Sequence, residues 1–461
     1  MRPTMLLLAA ALGCTDKGGD DTGTPPPSAC DAVDRTNCVE IAAGDVQALL
    51  DTVNTLEDDT AVVLAAGTYA LDNAVTIRSV TGVTLIGQGM DETTLDFSGV
   101  AAQTNGVDVV ADDVHLEGFT VVDSPKDGVR IEDSDGVVIR GVRATWSNGP
   151  QSTNGAYGLY PVRVSHVLME DSEATNASDA GIYVGQCQHA IVRNNVARQN
   201  VAGLEIENTQ FADVYGNHVE DNTGGLVVFD LPGNPVIGHD IRIHDNEIVN
   251  NNRRNFAPGG TVAQIPAGTG TFAMASRRVE IDGNTYANND TVDVALVSGL
   301  IVESDPEQWA LTQEELVGDT SGLELPTTAD GRIMNFRSYD LWVHDNSHEG
   351  SGTAPDAADA QQRALGFLLA ALYGAQPVDT VLYDAIGESA FDPNDAAGNS
   401  NDNRICVATG PNVTMASLNL AELQSGGFPT LADIYRPDPP FAPFDCTGVE
   451  PVAPDVPGAS R

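Results

Sequence analysis

Gly181-Ile182-Tyr183-Val184-Gly185 and Gly203-Leu204-Glu205-Ile206-Glu207 read almost alike, and the chain around them repeats the pattern. Gly158-Leu159-Tyr160-Pro161-Val162 precedes them and Gly225-Leu226-Val227-Val228-Phe229 follows, at steps of 23, 22 and 22 residues. Two earlier copies, Gly106-Val107-Asp108-Val109 and Gly128-Val129-Arg130-Ile131, again stand 22 apart. A fixed period of ~22 in short strand-like segments marks a solenoid, and it is too short for a helix pair. Two asparagine ladders share the register: Asn195, Asn217, Asn246, Asn284, and, five residues later each time, Asn200, Asn222, Asn251, Asn289. Asn176 extends the second ladder backward. Asparagine tolerates the left-handed backbone of a tight corner, and stacked amides bond one another. The predicted fold is all-β: a right-handed parallel β-helix of three short strands per coil, the hand being the usual one for parallel crossovers.

Composition bounds the partners. The 461 residues carry a net charge of −44, with 41% hydrophobic and only 5% aromatic residues. Such a surface repels nucleic acid and anionic membrane. It favours solubility, and its acidic pockets offer calcium a place; no other cofactor or metal is implied. Twelve of the 22 basic residues lie between Lys126 and Arg278, so the middle is less acidic than the ends.

The N-terminus reads as an export signal. Arg2 precedes a short apolar run, Met5 to Leu12, far below the ~20 residues that span a membrane. The run ends in Ala11-Leu12-Gly13-Cys14, which resembles a bacterial lipobox with Ala11 where Leu is preferred. The resemblance implies a lipid on Cys14 and a protein tethered at the membrane, on its periplasmic face or the cell surface. In that oxidising setting Cys30–Cys38 and Cys406–Cys446 are the natural disulfides, and Cys187 is a buried thiol within the repeat.

The chain then divides as follows: signal peptide 1–14, flexible tether 15–40, β-helix 41–354, C-terminal cap 355–461 with the second disulfide. Val46, Leu49, Leu50, Val53 and Leu56 behind Asp45 predict a helix that caps the first coil. Leu341 to Asn346 repeats the pattern of Ile241 to Asn246 and reads as the last strand. Thr312-Gln313-Glu314-Glu315 is a capping-box sequence that predicts a short helix. Residues 356–373 read as an amphipathic helix with Ala364, Leu365, Leu368, Leu369 and Leu372 on one face.

Strand alternation locates the candidate site. Leu159, Ile182, Leu204 and Leu226 are always apolar and face the core. The following position therefore faces out, in a column of Asp108, Arg130, Tyr160, Tyr183, Glu205 and Val227. A second outward column holds Val110, Glu132, Val162, Gly185, Glu207 and Phe229. Phenol faces bind sugar rings, and phenols and carboxylates move protons. Insertions before Tyr160, after Phe229 (from Asp230) and at 253–269 flank this face and would wall a groove. Binding is thus expected at Arg130, Glu132, Tyr157, Tyr160, Tyr183, Glu205, Glu207, Phe229 and Asp230, and any catalysis at Tyr160, Tyr183, Arg130 or Glu205. A tyrosine column is also what a well-packed sheet face looks like. His344, Asp345, His348 and Glu349 read as a solvated turn rather than a metal site. Asp392 to Gly398 lacks the residues a calcium loop needs at its fifth and sixth positions.

Three segments carry a resemblance: Asn154 to Val162, Ala177 to Gln186 and Gly224 to Gly233. Over residues 60–300 the chain resembles bacterial parallel β-helix repeat lipoproteins of the pectate-lyase-like superfold. More distantly it is similar to mannuronan C5-epimerases, which carry Tyr-Gly-x-Asp-Pro-His. Here that motif reads Tyr157-Gly158-Leu159-Tyr160-Pro161-Val162, so the epimerase mechanism does not carry over. The outward columns, the flanking insertions and the export signal together predict an envelope-anchored protein that binds a polysaccharide or glycan, with an epimerase- or lyase-like enzyme or a structural rod for an envelope protein partner as the alternatives.

Overall fold

A computed structural model describes residues 29–358, 364–420 and 430–459. Cys14 and residues 15–28 lie outside them. Twenty-seven strands join in one sheet. Its pairings are parallel from Asn37–Ile41 against Thr60–Leu64 to Val381–Tyr383 against Met415–Ser417. The chain is a right-handed parallel β-helix.

One coil shows why the sequence folds this way. Ala180–Gly185, Gln188–Arg193 and Val196–Arg198 are its three strands, here called faces A, B and C. Each pairs with its counterpart one coil on: Ala202–Glu207, Gln210–Tyr215 and His218–Glu220. Ile182, Val184, Ala190, Val192 and Ala197 point inward and are fully buried or nearly so. The corners fall at Gln186, Asn194 and Gln199, all with φ between 54° and 63°.

The asparagine ladders fill two of these corners. Asn195 Nδ2 donates to Asn217 Oδ1 at 3.0 Å, Asn217 to Asn246 at 2.9 Å, Asn246 to Asn284 at 2.9 Å. The chain of bonds continues to Asn346 at 3.0 Å. In the second ladder Asn200, Asn222, Asn251 and Asn289 bond in series at 3.0–3.2 Å. Each Oδ1 also accepts the backbone N–H of the asparagine one coil before, as Asn222 does for Asn200 at 2.9 Å. The left-handed residue is not the ladder asparagine but the one before it: Asn194, Gly216, Asp245, Gly283 and Asp345 in one ladder. The side-chain amide is thus free to turn inward. Asn176 does not join the second ladder. It is one residue out of register, and Ala177 N–H takes that place, donating to Asn200 Oδ1 at 2.9 Å.

The ends differ from the sequence expectation in three places. Strand Asn37–Ile41 brings the region expected as tether into the sheet, held by the Cys30–Cys38 disulfide. Leu341–Val343 is not the last rung, because Ile405–Val407 pairs with it and Val381–Tyr383 with Val294–Leu296. The C-terminal segment therefore supplies coils as well as a cap, closed by Cys406–Cys446. Residues 312–317 form a turn. Glu315 accepts from Thr312 N and Oγ1 as a capping box would, but Val317 is drawn into a bridge with Val236 and Gly318 follows at φ 86°. Helix Val46–Asn54 forms as expected, with Asp45 accepting from Ala48 N, and Leu49 and Val53 buried. Helix Ala364–Tyr373 buries Leu365, Leu369 and Leu372, while Ala364 is exposed; 359–363 lie outside the described residues.

Replacing Asn222 by Ala strands the buried N–H groups of Asn200 and the carbonyl of Ala197. The expected loss is about 3 kcal/mol of unfolding free energy by denaturant titration. Asn250→Ala, at the left-handed position (φ 54°), should cost only about 1 kcal/mol.

Candidate functional site

Face A delivers the first predicted column in register and the second from Glu132 onward, the register shifting after Val109. Arg130 pairs with Tyr160, Tyr183 with Glu205 and Glu205 with Val227. Glu132 pairs with Val162, Val162 with Gly185, Gly185 with Glu207 and Glu207 with Phe229. Tyr157, from the insertion before Tyr160's strand, joins them. The three phenol rings pack at centroid separations of 4.4 Å (Tyr157–Tyr160) and 4.8 Å (Tyr183 to each). Arg130 lies over the Tyr160 ring at 5.9 Å and is paired with Glu132 and Asp108. Gly185 lets Tyr183 lie along its own strand: a Cβ there would stand 2.1 Å from the Tyr183 hydroxyl. That pose aims the hydroxyl at Glu207, the neighbour of Gly185 one coil on.

The stripe is not an open groove along its whole length. Phe256, Ala257, Val262 and Ile265 of the 253–268 insertion pack over face A, with Trp309 and helix Ala364–Tyr373 beyond them. Tyr183, Glu205, Glu207 and Phe229 are buried. Arg130, Glu132, Tyr157 and Tyr160 keep partial exposure. Past Glu207 the stripe becomes apolar, and Val227, Phe229, Phe272, Met274 and Ile265 line a small cavity of about 40 Å³.

The structure adds two carboxyls that alternation does not find, Asp127 and Asp179, because both lie in turns just before strands of face A. Asp179 stands beside the 253–268 insertion, 4.0 Å from where a Cβ on Gly260 would be. Burial, then the charge of Asp127, raises its carboxyl to about 7, although the Tyr157 hydroxyl draws it back. Burial, then Asp179 and Asp230, raises Glu207 to about 7 against the pull of Tyr183. Glu205 is raised well above the carboxylate range by burial, Asp179 and Glu207. Its Oε1 is buried with no hydrogen-bond partner. Asp127 is raised by burial, with Lys126 at 3.8 Å opposing. Burial raises Tyr160 to about 12 and pushes Tyr157 and Tyr183 up as well.

Buried carboxylates elsewhere have partners, backbone N–H groups for Asp384 and Glu388 and arginines for Glu170 and Glu173. Glu170 binds Arg140 and Arg193, each at 2.6 Å, and Glu173 binds Arg143 at 2.7 Å and Arg198. Burial would raise both, but the hydrogen bonds from arginine outweigh it and hold them low. Asp230 is likewise paired with arginine, although burial still outweighs its partners and raises it. It meets Arg277 at 2.6 Å, Asn335 at 3.0 Å and Gly238 N at 3.0 Å, all buried, which commits its oxygens to holding the 230–238 loop.

The weaker sequence signals resolve too. His348 is not on a solvated turn; it is buried against Asp293 at 2.9 Å and stacked on Tyr286. His344 meets Glu280 and Asp282 within 4.8 Å, but Arg242 already holds both carboxylates. Cys187 is buried and its thiol is pushed up to about 12 by that burial.

Residues 81–239 match the family described as "Right handed beta helix region". No curated protein matches the chain. Among solved structures, the polygalacturonase from Erwinia carotovora ssp. carotovora is 10% identical, with a TM-score of 0.45, covering 72% of this chain and 96% of its own. The mannuronan C-5 epimerase AlgE4 A-module of Azotobacter vinelandii is 15% identical, with a TM-score of 0.36, covering 66% and 91%. The N-terminal fragment of bacteriophage Phi29 gene product 12 is 13% identical, with a TM-score of 0.40, covering 77% and 60%. Likenesses of this size do not reach the chemistry of a site.

Asp179 and Glu207 hold their protons more tightly folded (about 7) than at their ordinary 3.8 and 4.5. Between those limits the folded state binds more protons, so their contribution to stability falls as pH rises from about 4 to 7. The double variant Asp179→Asn/Glu207→Gln should therefore lose less denaturation midpoint over that interval than wild type does.

Proposed function

We propose that the protein is an exported glycan-binding β-helix whose ligand lies on the tyrosine stripe of face A. The trio of Tyr157, Tyr160 and Tyr183 rings carries this reading. Tyr157 and Tyr160 keep partial exposure, with Arg130 and Glu132 beside them, while Tyr183 is buried against them. Sugar rings present apolar C–H faces to aromatic rings and hydroxyls to charged ends. A β-helix holds such groups one coil apart, about 4.8 Å, which suits a chain-like ligand. Cys14 in its lipobox-like setting, with the two disulfides, supports export and a lipid anchor.

A specific observation favours a second reading, a carbohydrate-active enzyme. Asp179 and Glu207 sit near neutrality beside phenols, where a general acid or base works best. In that reading Glu207, with Tyr183 against it, is the proton-transfer group.

On a glycan array the wild type should bind, and Tyr160→Ala should weaken binding about tenfold. No binding to any glycan would leave the rod for a protein partner. Tyr183→Phe separates the first two readings: a binder keeps near-wild-type affinity, whereas an enzyme loses about 10²–10⁴ in turnover on a glycan panel. Independently, Cys14→Ser should move the protein from the membrane fraction to the soluble one; a wild type already soluble and unlipidated contradicts the anchor.

A further inference from the structure

Glu205 and Glu207 stand two residues apart on one side of their strand, and both feel the charge of Asp179. Among the described residues no arginine, lysine or histidine pairs with any of the three. In the same solenoid Glu170 and Glu173 each receive two arginines. The second observation is independent of charge: Glu205, 1% exposed, turns Oε1 into this cluster with no donor to meet it. Buried acceptors in folded proteins are nearly always satisfied, and leaving one orphaned costs about 1–3 kcal/mol. The site therefore lacks both a donor and a positive charge.

We infer that the ligand carries a protonated amine, so that the glycan bound at this stripe is an amino sugar with a free amino group, its ammonium held by Asp179 and Glu205. This inference rests on the glycan reading above and names its substrate class. An ammonium brings three donors, no acceptor and one positive charge, and so answers both deficits. A uronate would add a further carboxylate to three that already repel one another. A bare metal ion fits less well. Among the described residues the ligand atoms that converge within 4.8 Å are those of Glu280, Asp282 and His344 on face B, not these three. Tyr157 and Tyr160 supply the stacking surface at the mouth, and Asp179, still partly exposed beside Gly260, is the first carboxyl the amine meets.

Calorimetric titration of the full chain with β-1,4-linked glucosamine tetrasaccharide, its fully N-acetylated counterpart, tetragalacturonate and calcium chloride tests this. The free-amine oligomer should bind best. Because a chain of net charge −44 attracts any polycation, the decisive readout is the variants. Asp179→Asn and Glu205→Gln each change the net charge by at most one, yet each should weaken the amine ligand by about tenfold to a hundredfold, because neither amide can ionise to pair with the ammonium. Equal binding of the acetylated oligomer, or preference for the uronate, overturns the amine while leaving the glycan reading standing. Calcium bound at this cluster, its affinity lost in Glu205→Gln, overturns it in favour of a metal. Binding of none of the sugars overturns both. If Glu205→Gln does not fold, Asp179→Asn, at the partly exposed carboxyl, supplies the same readout.

Discussion

A ~22-residue coil cannot bury a core alone, so the molecule depends on what fixes one coil onto the next. Parallel backbone bonds do this along the faces; the asparagine amides do it at the corners. Each ladder asparagine satisfies the backbone N–H and amide of the coil before and donates to the coil after. A corner that would leave buried backbone groups orphaned becomes a continuous hydrogen-bonded column. With the corners fixed, a residue's place on a face is fixed too, and chemistry can be laid out in columns.

The face A stripe uses that rigidity. Six strands in a row keep their register while their outward residues change from charged and phenolic to apolar. Faces B and C neutralise their buried carboxylates with arginine, as Glu170 and Glu173 show. The Asp179, Glu205 and Glu207 cluster has no such partner, so desolvation and mutual repulsion keep protons on it. The protein has twenty arginines and sets none against this cluster. Asp384 and Glu388 are also buried without arginine, but backbone N–H groups answer their oxygens, whereas Glu205 Oε1 has no partner, which is the physical ground for reading the cluster as a site rather than as packing.

Much of this was legible in the sequence, because alternation along a strand and a constant coil length carry geometry directly. The register of Arg130, Tyr160, Tyr183 and Glu205, both ladders and the capping helix follow from it. Asp127 and Asp179 do not, since turn residues have no fixed facing. Asn176 was misplaced because a one-residue slip is invisible when the neighbouring coil has a different length. The rungs at Val381–Tyr383, Ile405–Val407 and Met415–Ser417 were hidden by the insertions between them. The covering of Tyr183 and Glu205 comes from segments far along the chain, and no local pattern announces it.

The account turns on buried carboxyls that remain neutral acids. Infrared difference spectra between wild type and Asp179→Asn/Glu207→Gln, recorded as a function of pH, observe that state directly. The account predicts a protonated-carboxyl C=O band that is stronger in wild type than in the variant, with the excess persisting to about pH 7. A wild type whose band has gone by about pH 5, the range of ordinary carboxylates, would contradict it.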